Sequence, residues 1–362
     1  MVYIHVPFCK SFCTYCGFYS VICRRGNSEF EQYAALVCKE AEQRREEILA
    51  SLKTNTIYIG GGTPSVLPAY VLERIIKSLP FDAALCKEFT VECNPDDITP
   101  SYVASLKALG VNRISLGVQS FDDTILKWMA RRHNADGAVR AIETVRHCGI
   151  DNVSIDLIFG FPGLSDEVWA ATLEKAVALK PEHISAYQLS IEEGSALEKM
   201  LAEGRFSESG QEQCSRQYDY LCKRLGEAGY RHYEVSNFAK PCREALHNSA
   251  YWSGAPYVGL GPGAHSFDGH SRRSWNSELA EEGYTLNYEE LTPEDIRIER
   301  LMLGLRTAEG LSESEIQHLA AREPLEAAIK AGLLVESKKC KNNLRIPEER
   351  FFVSDDIIRS LI

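Results

Sequence analysis

The chain has 362 residues, 44% of them hydrophobic, enough to bury a large core and to build two domains or one domain with an appendage. Lys and Arg total 40 against 51 Asp and Glu, a formal net charge of −11, which disfavours non-specific binding to nucleic acid. Twelve cysteines, with no apolar N-terminal segment long enough for a signal peptide or membrane span, point to a reducing cytoplasm rather than a disulfide framework.

The chain starts directly on a strand, Val2–Val6, and then reads Cys9-Lys10-Ser11-Phe12-Cys13-Thr14-Tyr15-Cys16. Thiols at spacings of four and three can wrap one side of a cubane iron–sulfur cluster. Three cysteine ligands leave the fourth iron without a protein partner, and an open metal position is where chemistry happens. The same spacing is also that of one helix face, so three small buried hydrophobes are the alternative reading. Phe12 and Tyr15 interrupt an amphipathic pattern, and Pro7 sits just upstream. The other cysteines (Cys23, Cys38, Cys86, Cys93, Cys148, Cys214, Cys222, Cys242 and Cys340) are scattered and read as packing residues, Cys93 and Cys242 lying nearest to motif segments.

This Cys-x3-Cys-x2-Cys loop, preceded by an apolar run and followed by aromatics, resembles the radical S-adenosylmethionine (SAM) superfamily. The stretch Tyr3-Ile4-His5-Val6-Pro7-Phe8-Cys9 is similar to the branch holding oxygen-independent coproporphyrinogen III oxidase and the heme chaperones of the HemW type. The resemblance implies a [4Fe-4S] cluster on Cys9, Cys13 and Cys16 whose open iron chelates the amino and carboxylate groups of SAM, with Tyr3 and Tyr15 beside the SAM. In the superfamily an electron from the reduced cluster cleaves SAM to a deoxyadenosyl radical.

Further strands are expected at Thr56–Gly60, Glu88–Glu92, Arg113–Gly117, Asn152–Ile158 and His183–Leu189. Helical patterns fall between and after them, at Phe30–Leu52, Ala69–Leu79, Pro100–Leu109, Ala135–His147, Glu167–Leu179 and Gln211–Ala228. Strand–helix alternation at this spacing argues for an α/β fold of parallel strands with right-handed crossovers. Six units are too few to close an eight-stranded barrel. A partial (β/α)6 barrel over residues 1–240 is what the resemblance also implies, with active groups at the C-terminal strand ends.

The motifs fall at those ends. Gly60-Gly61-Gly62-Thr63-Pro64 follows the second strand, where missing Cβ atoms let the backbone approach a ligand. A plain strand-to-helix turn is the alternative; the resemblance assigns Gly61, Gly62 and Thr63 to the SAM amino group. Glu92 ends the third strand, and a carboxylate there can accept hydrogen bonds from both ribose hydroxyls, as the matching family residue does. Gln119, Arg131 and Asp156 match positions that in the porphyrinogen oxidase contact a second SAM molecule. An ion pair between Arg131 and Asp156 is the competing account, since buried carboxylates are rarely left unpaired.

From about residue 241 to 290 the pattern becomes an irregular link. His247-Asn248-Ser249-Ala250-Tyr251-Trp252 resembles a signature of the HemW-type branch, so His247, Tyr251 and Trp252 are the candidate heme residues, with Asn248 as a partner for the His247 ring. The alternative is a histidine that caps a helix or packs a junction, beside core aromatics. The Gly-rich run Gly259–His265 lies where the family closes over SAM, which brings His265 to the adenine side. Residues 291–362 then read as a small helical domain: helices at Glu294–Leu305, Ser312–Glu323, Leu325–Ala331 and Asp355–Leu361, with a hairpin pairing Leu333–Val335 and Leu344–Ile346. This resembles a winged helix, yet its basic patch (Lys338, Lys339, Lys341, Arg345) sits in an acidic chain and does not argue for DNA.

Two functions compete within the branch. One is oxidative decarboxylation of coproporphyrinogen III, or another radical reaction. The other is a heme chaperone that carries heme as cargo to acceptor proteins, in the cytoplasm or at a membrane surface, with a homodimer compatible with either. The oxidase has a fourth cysteine two residues after the third, where this chain has Phe18, and a substantial segment before its first strand, whereas Tyr3 here is nearly the terminus. Both departures, with His247–Trp252, favour the chaperone.

Overall fold

The computed structural model describes every residue except Arg25 and Glu281. Six strands form the framework: β1 Val2–Val6, β2 Thr56–Gly61, β3 Glu88–Cys93, β4 Arg113–Gln119, β5 Asn152–Phe159 and β6 His183–Gln188. They pair in sequence order and all in parallel, joined by helices over the outer face. The expected partial barrel is present. A hairpin, β7 Arg231–Glu234 and β8 Asn237–Ala239, extends the β6 edge antiparallel, and β9 Val258–Leu260 adds a parallel strand outside β1. The sheet therefore has nine strands, in the order β9-β1-β2-β3-β4-β5-β6-β8-β7.

Alternation within the strands explains why the two faces differ. Val2, Ile4, Val6, Ile57, Ile59, Phe89, Val91, Ile114, Leu116, Val153, Ile155 and Leu157 are buried at one parity, and a period of two puts them on one side of the sheet. Removing each such side chain from water contributes about 1.5–3 kcal/mol. The opposite parity carries Tyr3, Tyr58, Thr90, Glu92, Arg113, Ser115, Asp156 and Ser185, which the strand register sets side by side. The concave face is thus polar from the sequence upward.

The helix expected over Phe30–Leu52 is two, α1 Asn27–Gln43 and α2 Arg45–Ala50. The break falls at Arg44, whose buried guanidinium donates to Glu40, to Ser266 Oγ and to the Gly259 carbonyl. Glu40 in turn accepts from the Gly261 N–H, Asn276 and Tyr284. This buried pair ties α1 to the Gly-rich run and to a three-stranded antiparallel sheet, β10 His265–Phe267, β11 Arg272–Asn276 and β12 Leu286–Glu290.

The C-terminal portion begins with a helix over Pro293–Leu305, started by a capping box between Thr292 and Asp295 with Pro293 at the first helical position. Short helices and three two- or three-residue strands follow, Leu311–Ser312, Val335–Glu336 and Asn343–Arg345. This helical, winged-helix-like unit docks on β7 through the Ala308 N–H to the Tyr233 carbonyl and through Phe351 against His232. Among the described residues no helix is long and apolar enough to cross a membrane.

Candidate functional site

The cysteines lie on a loop, not on a helix face. After β1, Phe8–Cys9 pairs in parallel with Val21–Ile22, and the Cys23 N–H donates to the Cys9 carbonyl, so the intervening loop is pinned at its base. Cys9 is buried, Cys13 and Cys16 are half-buried, and all three line one cavity of about 560 Å³ at the C-terminal strand ends. Among the described residues no three His, Cys, Asp or Glu side chains converge on a single metal ion. A cubane does not require that, because each thiolate takes a different iron.

The surroundings of the thiols fit such a group. Arg131 Nη1 lies 3.3 Å from Cys13 Sγ and Thr63 Oγ1 3.4 Å from Cys9 Sγ. A Cβ on Gly62 would stand 3.1 Å from Cys9 Sγ and 2.9 Å from the Phe8 carbonyl, so only glycine lets this backbone run against the thiol. Burial pushes the Cys9 and Cys16 thiols up. Metal ligation, which takes the thiolate, therefore releases protons here.

The second wall carries the groups expected to meet SAM. Gly61 has φ +109, and a Cβ there would strike the His5 ring at 2.7 Å. The next two amides, Gly62 and Thr63, donate to the carbonyls of Val6 and Phe8, laying the Gly run along the start of the cluster loop. Glu92 accepts from Tyr58 Oη at 2.6 Å and from the Gly61 N–H at 3.3 Å, and burial pushes its carboxyl up to about 7. Gln119 stands at φ +66, where the β4–β5 register slips. Asp156 accepts from Ser115, and burial raises its carboxyl as well. Gly61, Gly62, Thr63, Glu92, Gln119, Arg131, Asp156 and Tyr15 all line the same cavity as the three cysteines.

Arg131 and Asp156 do not pair. Arg131 instead gives Nη2 to the Gly117 carbonyl at 2.6 Å and Nη1 to Cys13. Tyr3 does not line the cavity; its hydroxyl meets His5 Nδ1 at 3.1 Å. His265 is exposed on β10, stacked on Trp275.

His247, Tyr251 and Trp252 are placed at the other end of the barrel. They lie on a short helix, Leu246–Trp252, whose first amides, Leu246 and His247, donate to the Glu88 carboxylate at the start of β3. His247 is fully buried, its Nδ1 2.9 Å from Thr56 Oγ1 and its Nε2 3.1 Å from Tyr251 Oη. Both ring nitrogens are occupied, which corrects the expectation of an open heme ligand and of Asn248 as the ring's partner. Asn248 faces the cavity from below.

Residues that sequence reasoning missed complete the site. Tyr58, Arg113, Ser115 and Ser185 form its floor, and their shared parity with Glu92 and Asp156 was the available signal. Asp97 was not foreseeable. Its side chain is 3% exposed and accepts from Lys10 on the cluster loop, from Arg132 next to Arg131 and from Ser65 after the Gly run. One carboxylate thus ties together three loops around the cavity.

A family model described as the radical SAM superfamily matches residues 3–176. Among curated relatives, the heme chaperone HemW of Lactococcus lactis is 36% identical over 73% of this chain and 69% of its own length. That of Bacillus subtilis is 34% identical over 86% and 84%, and that of Mycobacterium tuberculosis 33% identical over 92% and 88%. Among solved structures, the coproporphyrinogen III oxidase HemN of Escherichia coli, described as a radical SAM enzyme, superposes with a TM-score of 0.80 at 22% identity, over 99% of this chain and 89% of that one, a likeness of fold.

Proposed function

Since the chain belongs to the radical SAM superfamily, within the family of the heme chaperone HemW, we propose that it binds a [4Fe-4S] cluster and SAM, holds heme as cargo and passes it to acceptor hemoproteins. The observation that carries the reading is the convergence of the Cys9, Cys13 and Cys16 thiols with Glu92, Gln119, Arg131 and Asp156 on one cavity. The named cargo of the relatives supports heme, and Phe18 in place of a further cysteine supports a chaperone over an oxidase.

When bound, such a cluster supplies a single electron. The rest is the work of this chain's own groups. Cys9, Cys13 and Cys16 hold the cluster, and Arg131 offsets thiolate charge at Cys13 with a charge-assisted bond. Gly61 and Gly62 admit backbone polar groups to the SAM amino end, while Glu92 accepts from the ribose hydroxyls. The floor of Tyr58, Arg113, Ser115 and Asp156 keeps further polar contacts beneath.

The test is anaerobic reconstitution of the full chain, followed by iron and sulfide analysis, hemin titration and incubation with coproporphyrinogen III, SAM and a reductant. Wild-type protein takes up the cluster and hemin and leaves coproporphyrinogen unconsumed. Serine at Cys9, Cys13 or Cys16 abolishes most bound iron, whereas serine at Cys23 or Cys38 does not. Stoichiometric decarboxylation would replace the chaperone reading by the oxidase one.

A further inference from the structure

Two aromatic side chains stand in water beside the cluster loop. Phe12, between Cys9 and Cys13, is 55% exposed, and Phe18, just past Cys16, is 75% exposed. Both border the cavity, together with exposed Tyr187 at the end of β6 and half-buried Leu189. Single exposed hydrophobes are ordinary, but four around one opening form a patch of the kind that marks a binding site.

The interior is lined by the groups proposed to hold the cluster and SAM. Its volume of about 560 Å³ suits a single drug-sized molecule, and its walls are the polar groups assigned above to SAM. None of the nine histidines lines it, and the ring nitrogens of His247 are spent on Thr56 and Tyr251. A porphyrin held here has to be held by its face and its edge, outside the SAM pocket. Aromatic rings meet the first need, since large π-faces pack by offset stacking and apolar contact. Lys10, half-exposed two residues before Phe12 and ion-paired with Asp97 at 2.8 Å, is a cation at the same rim with further ammonium donors for an edge carboxylate.

We infer that heme rests on the rim of the cavity, its face against Phe12 and Phe18 with Tyr187 and Leu189 beside it, and its propionates toward Lys10. This deepens the heme-chaperone reading and rests on it. It also assigns a purpose to Phe18 that a cysteine at that position could not serve.

The experiment is titration of the reconstituted, SAM-loaded full chain with hemin and, separately, with metal-free protoporphyrin IX, followed by the Soret band and by tryptophan quenching. Because the rim supplies faces rather than an iron ligand, both probes bind wild type with affinities within about threefold. Phe12→Ser/Phe18→Ser weakens both at least tenfold while iron content and SAM affinity hold. Phe18→Ser alone, at a ring too exposed to decide folding, weakens both at least threefold and keeps the test valid if the double variant folds poorly. Unchanged porphyrin affinity in these variants overturns the rim site while leaving the chaperone reading intact, as would be seen if the rim received a protein instead. Hemin binding without protoporphyrin binding also overturns it, because the iron would then be the anchor. Failure of wild type to bind either probe overturns the chaperone reading itself.

Discussion

Arg131 reaches Cys13 with one guanidinium nitrogen at 3.3 Å and the Gly117 carbonyl with the other at 2.6 Å. A cation fixed by the end of β4 therefore points at a thiol proposed to hold the cluster, and its fork geometry leaves it little freedom to swing away. A positive donor beside a cluster sulfur favours the reduced, more negative state. Arg131→Met removes that donor with little change of volume. A loss of about 1.4 kcal/mol corresponds to roughly 60 mV for one electron, and the midpoint potential falls by that order. A redox titration followed by electron paramagnetic resonance checks this; an unmoved potential would reduce Arg131 to a brace for Gly117.

The proposed contact of Glu92 with SAM predicts a pH-dependent affinity. The Glu92 carboxyl, pushed up to about 7 by burial, is only partly ionised near neutrality. Hydroxyl donors from a ribose bind the carboxylate better than the acid, so SAM affinity rises as pH passes from 6 to 8 and then levels. Glu92→Gln flattens this profile, and Glu92→Ala weakens binding by about 1.5–3 kcal/mol, roughly 10- to 150-fold. Calorimetry at both pH values decides it. The effect on folding runs the other way. A carboxyl raised in the folded state contributes stability below its ordinary value near 4.5, lost as pH climbs through 7.

Asp97 makes the cluster loop depend on a residue far from it in sequence. Burial alone would push this carboxyl up, yet Arg132 and Lys10 hold it below the usual range. Asp97→Asn keeps the shape and leaves both cations short of a partner, costing about 2–3 kcal/mol of stability. The cluster loop loses its tie to Ser65 and Arg132, so the reconstituted cluster bleaches faster in air, while Ser65→Ala has a smaller effect. Equal bleaching rates in wild type and Asp97→Asn would refute the tie. Because the carboxyl is depressed in the folded state, its stabilising contribution is present above its ordinary value near 3.8 and fades as pH falls below it.

What could be read from the chain, and what could not, follows the range of the interactions. The cysteine loop is local, and its spacing with Phe12 and Tyr15 between the thiols is all that the proposed cluster site needs from the sequence. The six strands of the framework alternate buried apolar residues with polar ones that face the cavity, a period of two that each strand carries locally. β9 has three residues, Val258-Gly259-Leu260, inside a Gly-rich run, and its strand character comes only from pairing with Val2, Tyr3 and Ile4. The Asp97 hub joins residues 32 to 87 positions apart. No local pattern distinguishes its buried carboxylate from an exposed Asp96 beside it. The helix break at Arg44 likewise belongs to partners more than 200 residues on.

His247 shows how a motif can be legible and its placement not. The ring sits between Thr56, 191 residues away, and Tyr251, one turn on, at the N-terminal end of the barrel, while the cluster loop is at the C-terminal end. Glu88 accepts the Leu246 and His247 amides and so holds the start of the helix that closes that end. Removing the ring leaves a cavity and strands the hydroxyl of Thr56 without its partner. His247→Ala accordingly costs about 2–4 kcal/mol of stability, read as a lower thermal midpoint, with the Soret band of bound hemin in its wild-type position. Burial pushes this imidazole down to about 3, whereas in the unfolded chain it takes a proton near 6.5. The neutral ring therefore stabilises the fold above 6.5, and that contribution fades as pH falls toward 3. The gap between wild type and His247→Ala should narrow between pH 7 and pH 5. A shifted Soret band with an unchanged thermal midpoint would return His247 to the heme.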